Sequence, residues 1–300
     1  MITKLDQMFT ALQGKTKKKI VAVWANDSHT IEAVSNAVDK NIVEGILVGD
    51  KNEIEKTCKA EKIDINKFTV IHANTDVEAA NMAVKMVAEK KGDILMKGLL
   101  STDKYMRAIL NKEAGLLPPK AVLSHITVIE NANYHKLMIV GDVAVIPNPD
   151  INQKIAITNY LIFTAKSLGI ERPKVAIIGA SEQVSPNIES SVHATIISKM
   201  GDRGQIAGAI IEGPLALDLA IDKESATIKK IDSEVAGDAD CLLFPNIEAG
   251  NVFYKTNTKL CGTELGAVVC GAKVPCVLSS RGDTSLTKLY SIALAALMAK

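Results

Sequence analysis

Short apolar runs alternate with amphipathic segments along the N-terminal third of the chain. The runs KIVAVWA (19–25), GILVG (45–49), FTVIHA (68–73) and DILMKG (93–98) are rich in Val, Ile and Leu, which is typical of buried strands. Between them lie segments with apolar residues at helical spacing, and the first of these segments follows the capping residues 26–28. This alternation predicts a parallel sheet with helices on both faces.

The middle of the chain interrupts the alternation. Within residues 121–150, two strand-like runs follow each other without a helix, and Asn131-Ala132-Asn133 between them predicts a β-hairpin. The alternation then resumes, with helices predicted at about 150–168, 187–200, 217–230, 247–258 and 284–300, and strands at 173–180, 206–213, 240–245 and 267–280. We therefore expect two closely packed α/β lobes with a ligand cleft between them.

Composition and charge narrow the class of protein. Apolar residues make up 47% of the chain and aromatic residues 4%, a composition common in α/β enzymes. The 35 basic and 34 acidic side chains give a net charge of +1, so we expect no nucleic-acid or membrane partner and only local anion binding. The chain has no signal-peptide pattern, and its five cysteines lack C-x-x-C spacing, which together favour a cytoplasmic location.

The first stretch with chemical potential is MKGLLSTDKYMR (96–107), where a strand turns into a helix. Gly98 lets the backbone approach a ligand, and Ser101 and Thr102 can cap a helix whose free N–H groups favour an anion. Lys97 ends the strand, and Arg107 either faces the same crevice or points elsewhere. The alternative is an ordinary capped helix with solvated charges.

A second stretch, VPCVLSSRGDTSLTKL (274–289), repeats this construction in the other half of the chain. Its apolar run ends in Ser279-Ser280-Arg281-Gly282, and a helix follows. Arginine suits a two-pronged grip on phosphate, and a serine hydroxyl beside it can donate a hydrogen bond to a developing oxyanion. A turn with a surface arginine is the alternative, but the repetition disfavours it.

Two further polar loops follow predicted strands. Glu212-Gly213-Pro214 precedes a helix with Asp218, and Pro245-Asn246 precedes a helix in which Glu248 and Asn251 lie one turn apart. Either loop is explained by helix capping alone. The carboxyl ends of parallel strands nevertheless share one sheet edge, so the sequence predicts that Glu248 and Asn251 contribute to ligand binding.

Several common motifs are absent from the sequence. It contains no G-x-G-x-x-G after a strand, no P-loop and no G-x-S-x-G elbow, and its histidines lack metal-ligand spacing. We therefore expect neither a metal nor a permanently bound cofactor. Asp218, Asp238 and Asp240 are the one candidate metal group, and their spacing is poor.

These stretches, together with LSH (123–125), EGPLALDLAI (212–221) and AGDADCLLFPNIEAGNVFYK (236–255), resemble the phosphate acetyltransferase and phosphate butyryltransferase family in order and spacing. The chain length and IEAGNVFYK resemble the butyryl branch more closely. The resemblance implies two α/β/α domains of isocitrate/isopropylmalate dehydrogenase-like architecture, with residues 1–134 and 283–300 in the first and 135–282 in the second. It also implies a homo-oligomer, commonly a dimer, that moves a short-chain acyl group between coenzyme A and inorganic phosphate.

The resemblance also implies roles for individual residues. Arg107 and Arg281 would hold phosphate or coenzyme A, and Ser280 would stabilise the thioester carbonyl as it gains negative charge. Acyl transfer would be direct, within a ternary complex. The aspartate proposed as general base in acetyl-type relatives corresponds to Thr287 here, so either Asp283 substitutes for it or the phosphate dianion needs little help.

Other departures and alternatives remain open. Butyryl-type relatives tend to carry Asp at the position of Glu212 and Asn at that of Leu219, so the acyl chain length is open and acetyl-CoA is an alternative substrate. A decarboxylating dehydrogenase that uses a metal and NAD has the same general architecture. A non-catalytic sensor of acyl-CoA or acyl phosphate has the same domain order.

Overall fold

A computed structural model describes residues 1–111, 116–278 and 283–300 and shows a mixed α/β fold. The strands are β1 (Lys18–Val23), β2 (Val43–Gly49), β3 (Phe68–His72), β4 (Ile94–Lys97), β5 (Ser124–Glu130), β6 (Met138–Gly141), β7 (Lys174–Ile178), β8 (Ile210–Leu215), β9 (Cys241–Leu243), β10 (Glu264–Cys270) and β11 (Cys276–Val277). The α-helices are α1 (Gln7–Leu12), α2 (Ser28–Asp39), α3 (Lys51–Ala60), α4 (Asp76–Ala88), α5 (Thr102–Ile109), α6 (Ile151–Ser167), α7 (Glu189–Asp202), α8 (Leu217–Ile221), α9 (Lys223–Ile228), α10 (Ile247–Lys255) and α11 (Ser285–Met298).

The chain divides into two compact units. Unit A comprises Asp6–Ala121 and Gly266–Lys300, and unit B comprises Met1–Leu5 and Val122–Leu265. These bounds differ from the predicted domains at 1–5, 122–134 and 266–282. The last two differences arise because β5 pairs with β6 of unit B and β11 pairs with β4 of unit A. The compact units are groups of residues in contact and do not test where folding domains begin and end. The predicted domain bounds therefore stay a prediction.

Unit A is built on strands in the order β3-β2-β1-β4-β11-β10. The first five of these are parallel, and β10 is antiparallel to β11. Residues 20–23 of β1 are fully buried, as expected for a central strand covered on both faces. Helices α1, α2 and α11 pack together, and α4 packs on α5. The alternation of the N-terminal third therefore predicted this part of the fold correctly.

Unit B carries strands in the order β5-β6-β9-β7-β8. β5 and β6 form the predicted antiparallel hairpin, and the remaining pairings are parallel. The long helix α6 begins with a capping box, in which the Asp150 side chain accepts a hydrogen bond from the backbone N–H of Gln153 and the Gln153 side chain accepts one from the backbone N–H of Asp150. This box explains why the predicted start of the helix at residue 150 was accurate.

Two predicted elements are divided in the structure. The single strand predicted at 267–280 is two antiparallel strands, β10 and β11, because the chain reverses at Gly271, whose φ is 103°. The helix predicted at 217–230 is divided into α8 and α9 at Asp222, whose extended backbone ends the first helix and whose side chain caps the second. Helix α1 was not predicted.

Candidate active site

The direction in which strands are added to the sheet of unit A reverses between β1 and β4. The chain crosses the sheet from β1 to β3 in one direction and then returns to the other side of β1 to form β4. Because such connections are right-handed, this reversal places α2 and α3 on one face and α4 on the other. Open α/β sheets bind ligands at such a reversal, beyond the carboxyl ends of the strands. We call the residues that follow β1 and β4 the carboxyl edge of unit A.

Gly98 brings two loops of this edge into backbone contact. Its N–H donates to the carbonyl of Val23 over 2.9 Å, and the N–H of Leu99 donates to the carbonyl of Trp24, also over 2.9 Å. A Cβ atom on Gly98 would lie 2.5 Å from the Val23 oxygen and 2.7 Å from the Trp24 oxygen, both backbone atoms. Only glycine therefore fits here without a shift of the backbone.

Helix α5 begins at this contact, and three interactions fix its position. The Ser101 side chain caps the helix by accepting a hydrogen bond from the Lys104 N–H at 3.2 Å. Lys104 forms a 2.7 Å ion pair with Asp76 at the start of α4. Tyr105 is fully buried, donates its hydroxyl to the carbonyls of Leu95 and Val277, and has a pKa raised by burial. Thr102, in contrast, is exposed.

The two predicted cations of this stretch have different environments. Lys97 ends β4, is only 4% exposed, and donates from Nζ to the Gly98 carbonyl over 3.3 Å. Arg107 is largely exposed, and its Nε donates to Asp103 one turn earlier in α5 over 3.0 Å. The structure therefore brings Lys97, Gly98 and Ser101 together at the start of α5, whereas the Arg107 guanidinium pairs with its own helix.

The second predicted stretch is described only in part. Ser280 and Arg281 lie outside the described residues. Asp283 is partly buried, and Thr284 caps α11 by accepting a hydrogen bond from the Thr287 N–H at 3.1 Å. The catalytic roles predicted for Ser280, Arg281 and Asp283 stay predictions.

The strands of unit B also end in polar loops along one edge. Asn246 caps α10 through the Ala249 N–H at 3.0 Å, and Glu248 is exposed in the first turn of this helix. Asn251 donates its side-chain amide to the Val143 carbonyl over 2.9 Å. A Cβ atom on Gly250 would lie 2.3 Å from the Asp142 carbonyl oxygen. Asn251 therefore holds α10 against the loop that follows β6.

Asp142 organises that loop and was missed by the sequence analysis. Its carboxylate is buried and accepts hydrogen bonds from the N–H groups of Ala144 at 2.7 Å, Val145 at 2.9 Å and His125 at 3.3 Å. A carboxylate that accepts several backbone N–H groups fixes the path of a loop. The available signal was an aspartate directly after the apolar strand MIVG.

Two of the three aspartates considered as metal ligands, Asp238 and Asp240, are paired with lysines. Asp238 pairs with Lys174 at 2.5 Å and with Lys136 at 2.9 Å, and Asp240 pairs with Lys136 at 2.8 Å. Burial alone would raise the pKa of Asp238, but hydrogen bonds from Lys174, Lys136 and His135 outweigh it and lower that pKa strongly. Residues 1–111, 116–278 and 283–300 contain no group of three or more His, Cys, Asp or Glu arranged to hold a metal ion.

Comparison with solved structures defines the class of protein. The fold matches a branched-chain phosphotransacylase from Enterococcus faecalis with a TM-score of 0.83 and 27% identity, over 94% of this chain and 98% of the other. A phosphotransacetylase from Staphylococcus aureus has the same fold, with a TM-score of 0.81 and 23% identity, over 98% of this chain and 97% of the other. The chain thus has a phosphotransacylase fold.

Comparison of sequences identifies the family. The chain matches the family described as phosphate acetyl/butaryl transferase over residues 4–82 and 73–296, and it belongs to that family. It is 42% identical to the phosphate butyryltransferase of Clostridium acetobutylicum, over 100% of this chain and 99% of that protein. It is 37% identical to the phosphate acetyltransferase of Thermotoga maritima, over 98% and 99% of the two chains. These findings confirm the resemblance noted from the motifs.

Proposed function

We propose that the protein is a phosphate acyltransferase that interconverts butanoyl-CoA plus phosphate and butanoyl phosphate plus CoA. The observation that carries the proposal is the 42% identity to a phosphate butyryltransferase along 100% of the chain. The strand-to-helix loops at the carboxyl edge of unit A support it, because an anionic substrate suits the start of α5. Acetyl-CoA is the alternative substrate, since a phosphate acetyltransferase matches at 37% identity.

The reaction proceeds by direct transfer within a ternary complex. A phosphate oxygen attacks the thioester carbonyl carbon, and a tetrahedral oxyanion forms. When this intermediate collapses, the carbon–sulfur bond breaks, the thiolate of coenzyme A leaves, and the acyl phosphate remains. Ser280 donates a hydrogen bond to the oxyanion, a contribution that is typically ~10²–10³ in rate for one donor. Arg281 holds the phosphate beside the carbonyl and so contributes through proximity.

The phosphate site is completed by the start of α5. Gly98 keeps the loops after β1 and β4 in contact, Ser101 and Thr102 lie at the helix N-terminus, and Lys97 supplies a nearby positive charge. Arg107 turns from Asp103 toward phosphate or coenzyme A when substrate binds. This rearrangement needs little free energy, because an exposed ion pair within a helix is weak.

Other parts of the site are assigned from the family resemblance. Glu248 and Asn251 contribute to binding of phosphate or coenzyme A from the start of α10, with Asn251 acting through the loop it holds. Asp283 is the candidate general base, and the phosphate dianion itself is the alternative. Leu219 is fully buried in α8, so its effect on acyl preference is exerted through packing.

The same sequence features and family resemblance support proposals for the cofactor, the location and the oligomeric state. Coenzyme A is a substrate, and no permanently bound cofactor is required. The protein acts in the cytoplasm as a homo-oligomer, a dimer or larger. In the described residues, no helix is both long enough and apolar enough to cross a membrane. We expect no nucleic-acid or membrane partner.

The proposal is tested by measuring phosphate-dependent release of free thiol from a panel of acetyl-, propionyl-, butyryl- and branched acyl-CoA. We expect the highest kcat/KM with a four-carbon or branched acyl group. Reactions without phosphate serve as the control. If no acyl-CoA in the panel is turned over, the acyltransferase proposal is wrong, and binding without turnover would favour the sensor alternative.

A further inference from the structure

The cap of α2 and the first turn of α11 share a pair of opposite charges, in which Lys288 is buried and Asp27 is partly buried. Asp27 caps α2 by accepting a hydrogen bond from the Thr30 N–H at 3.0 Å. Lys288, in the first turn of α11, is only 5% exposed, and its Nζ lies 3.8 Å from Oδ1 of Asp27. The two helices pack against each other within unit A. The charge pair therefore joins the β1–α2 loop to the start of the last helix.

This pair is not fully hydrogen-bonded. Among the described residues, Oδ2 of Asp27 and the hydroxyl of Thr30 are both buried without a hydrogen-bond partner. The Nζ–Oδ1 distance of 3.8 Å exceeds the range of a hydrogen bond. Removing charges from water costs free energy that an incompletely bonded pair recovers poorly, so apolar residues would stabilise this position better. A contribution to overall stability is thus a weak explanation for the pair.

We propose that Asp27 and Lys288 are positioning residues, which fix the start of α11 against the carboxyl edge of unit A. Lys288 holds the first turn of α11 and the two residues that enter it, Asp283 and Thr284. Asp27 supplies the fixed point, because its carboxylate caps the start of α2 in the loop that follows β1. The inference rests on the proposed function, since the chain that enters α11 carries the predicted catalytic residues.

The test compares Asp27→Asn, Lys288→Met and the double variant. Asn still caps a helix, so Asp27→Asn removes the charge and keeps α2 capped. We expect each single variant to lower kcat by ~10-fold with little change in KM, because misplacement of reacting groups affects the chemical step. The double variant should be no slower than either single variant, since the two residues act as a unit. Lys288→Arg should restore most of kcat.

A matched control is available on the same two helices. The Ser285 hydroxyl donates to Glu32 on α2 over 2.7 Å, at a partly buried position. Glu32→Gln keeps an acceptor for this hydrogen bond and leaves the Asp27–Lys288 pair intact. We expect it to have the kcat of the parent protein. A loss of kcat as large as that of Lys288→Met would show that any change between these helices matters and would overturn the assignment.

A second measurement decides the proposal without turnover. Amide hydrogen exchange reports local opening, and we expect faster exchange at residues 283–288 in Lys288→Met than in Glu32→Gln. Unchanged exchange there, or unchanged kcat with only a lower unfolding midpoint, would reduce the pair to a structural role and overturn the inference. Absence of turnover in the parent protein would instead contradict the proposed function, while the exchange result would still decide whether the pair positions α11.

Discussion

Gly98 is a residue whose identity is required by the backbone around it. Any side chain at this position would meet the carbonyl oxygens of Val23 and Trp24, neither of which is at the end of a flexible group. Trp24 itself has a φ of 53°, in the left-handed region that residues with side chains rarely adopt. The contact between the β1 and β4 loops is therefore tightly specified.

We predict that Gly98→Ala lowers the free energy of unfolding by ~1–3 kcal/mol, as overpacking of a close contact does. It should also lower kcat/KM, because the start of α5 would move away from β1. Urea unfolding and the thiol-release assay measure the two effects. Leu99→Ala, at an exposed neighbouring position, is the stability control and should change unfolding by less than ~0.5 kcal/mol. A Gly98→Ala variant as stable as the parent would contradict the steric argument.

Lys154 and His193 form a second pair of residues with a measurable signature. The Nζ of Lys154 lies 3.2 Å from Nδ1 of His193, and Lys154 is only 3% exposed. Burial lowers the pKa of both groups, and the charge of Lys154 lowers that of His193 further. The carboxylates of Glu189 and Asp150 act in the opposite direction without reversing either shift.

We predict that the protein loses stability as pH falls below 6.5, the ordinary pKa of histidine. Between pH 6.5 and the lower pKa of His193 in the folded protein, the unfolded chain binds a proton at His193 more readily than the folded protein does. Unfolding is therefore favoured as pH decreases. His193→Gln should flatten the pH dependence of the unfolding free energy. The exposed His29→Gln is the control and should keep the parent slope. Equal slopes in all three proteins would exclude His193 as the source.

At the scale of elements, the start of α5 combines a structural and a functional role. Ser101 caps α5, and Thr75 caps α4 in the same way by accepting a hydrogen bond from the Glu78 N–H at 3.2 Å. Both helices follow strands of the same parallel sheet. Only α5, however, begins in the stretch to which we assign phosphate binding. The two caps therefore form a natural comparison.

We predict that Ser101→Ala and Thr75→Ala each lower the free energy of unfolding by ~1 kcal/mol, the usual effect of losing a cap. Only Ser101→Ala should raise the KM for phosphate, because only α5 begins at the proposed phosphate site. Urea unfolding and phosphate titrations at saturating acyl-CoA separate the two roles. A similar rise in KM for both variants would contradict the assignment of α5.

The sequence predicted the elements most accurately where a capping side chain marks a boundary. Asp27, Thr75, Asp150 and Thr284 cap α2, α4, α6 and α11, each within a residue or two of the predicted start. Boundaries without such a signal were less accurate. The apolar run 267–280 was read as one strand, since periodicity alone does not reveal that the chain reverses at Gly271.

The sequence predicted the candidate site only where residues close together in the chain form it. Lys97, Gly98 and Ser101 lie together because they follow one strand, and the sequence showed this order directly. The partners of long side chains depend on rotamers and on distant segments, so the Arg107–Asp103 pair and the Asn251–Val143 hydrogen bond were not predicted. Lys288 and Asp27 pair although Asp27 caps α2 near the start of the chain and Lys288 lies in α11 near its end.

At the scale of the whole molecule, the proposal requires that Arg107 and Arg281 act on the same substrates. We predict that Arg281→Ala lowers kcat/KM by ~10² or more while the protein remains folded, because it loses a group that holds phosphate in the transition state. Arg107→Ala should mainly raise the KM for phosphate or acyl-CoA. The double variant should be less impaired than the product of the single effects, since the two guanidinium groups share a ligand.

Asp103→Asn is the control for the arginine experiment. It removes the partner of Arg107 without removing the guanidinium, so we expect activity close to that of the parent protein. Circular dichroism and thermal unfolding establish that each variant is folded. Strictly multiplicative effects of Arg107→Ala and Arg281→Ala would mean that the two arginines act independently, which the shared-ligand proposal does not allow.

The two-segment construction of unit A has a consequence for biosynthesis. When β4 leaves the ribosome, the strand that pairs with its free side, β11, has not yet been translated. Throughout the synthesis of unit B, one side of β4 in the nascent chain therefore remains unpaired. The hydrogen bond from the Tyr105 hydroxyl to the Val277 carbonyl also cannot form during this time. Chaperone occupancy of this exposed strand should end only once residues 276–277 have emerged, so late ribosome stalling would leave unit A prone to aggregation.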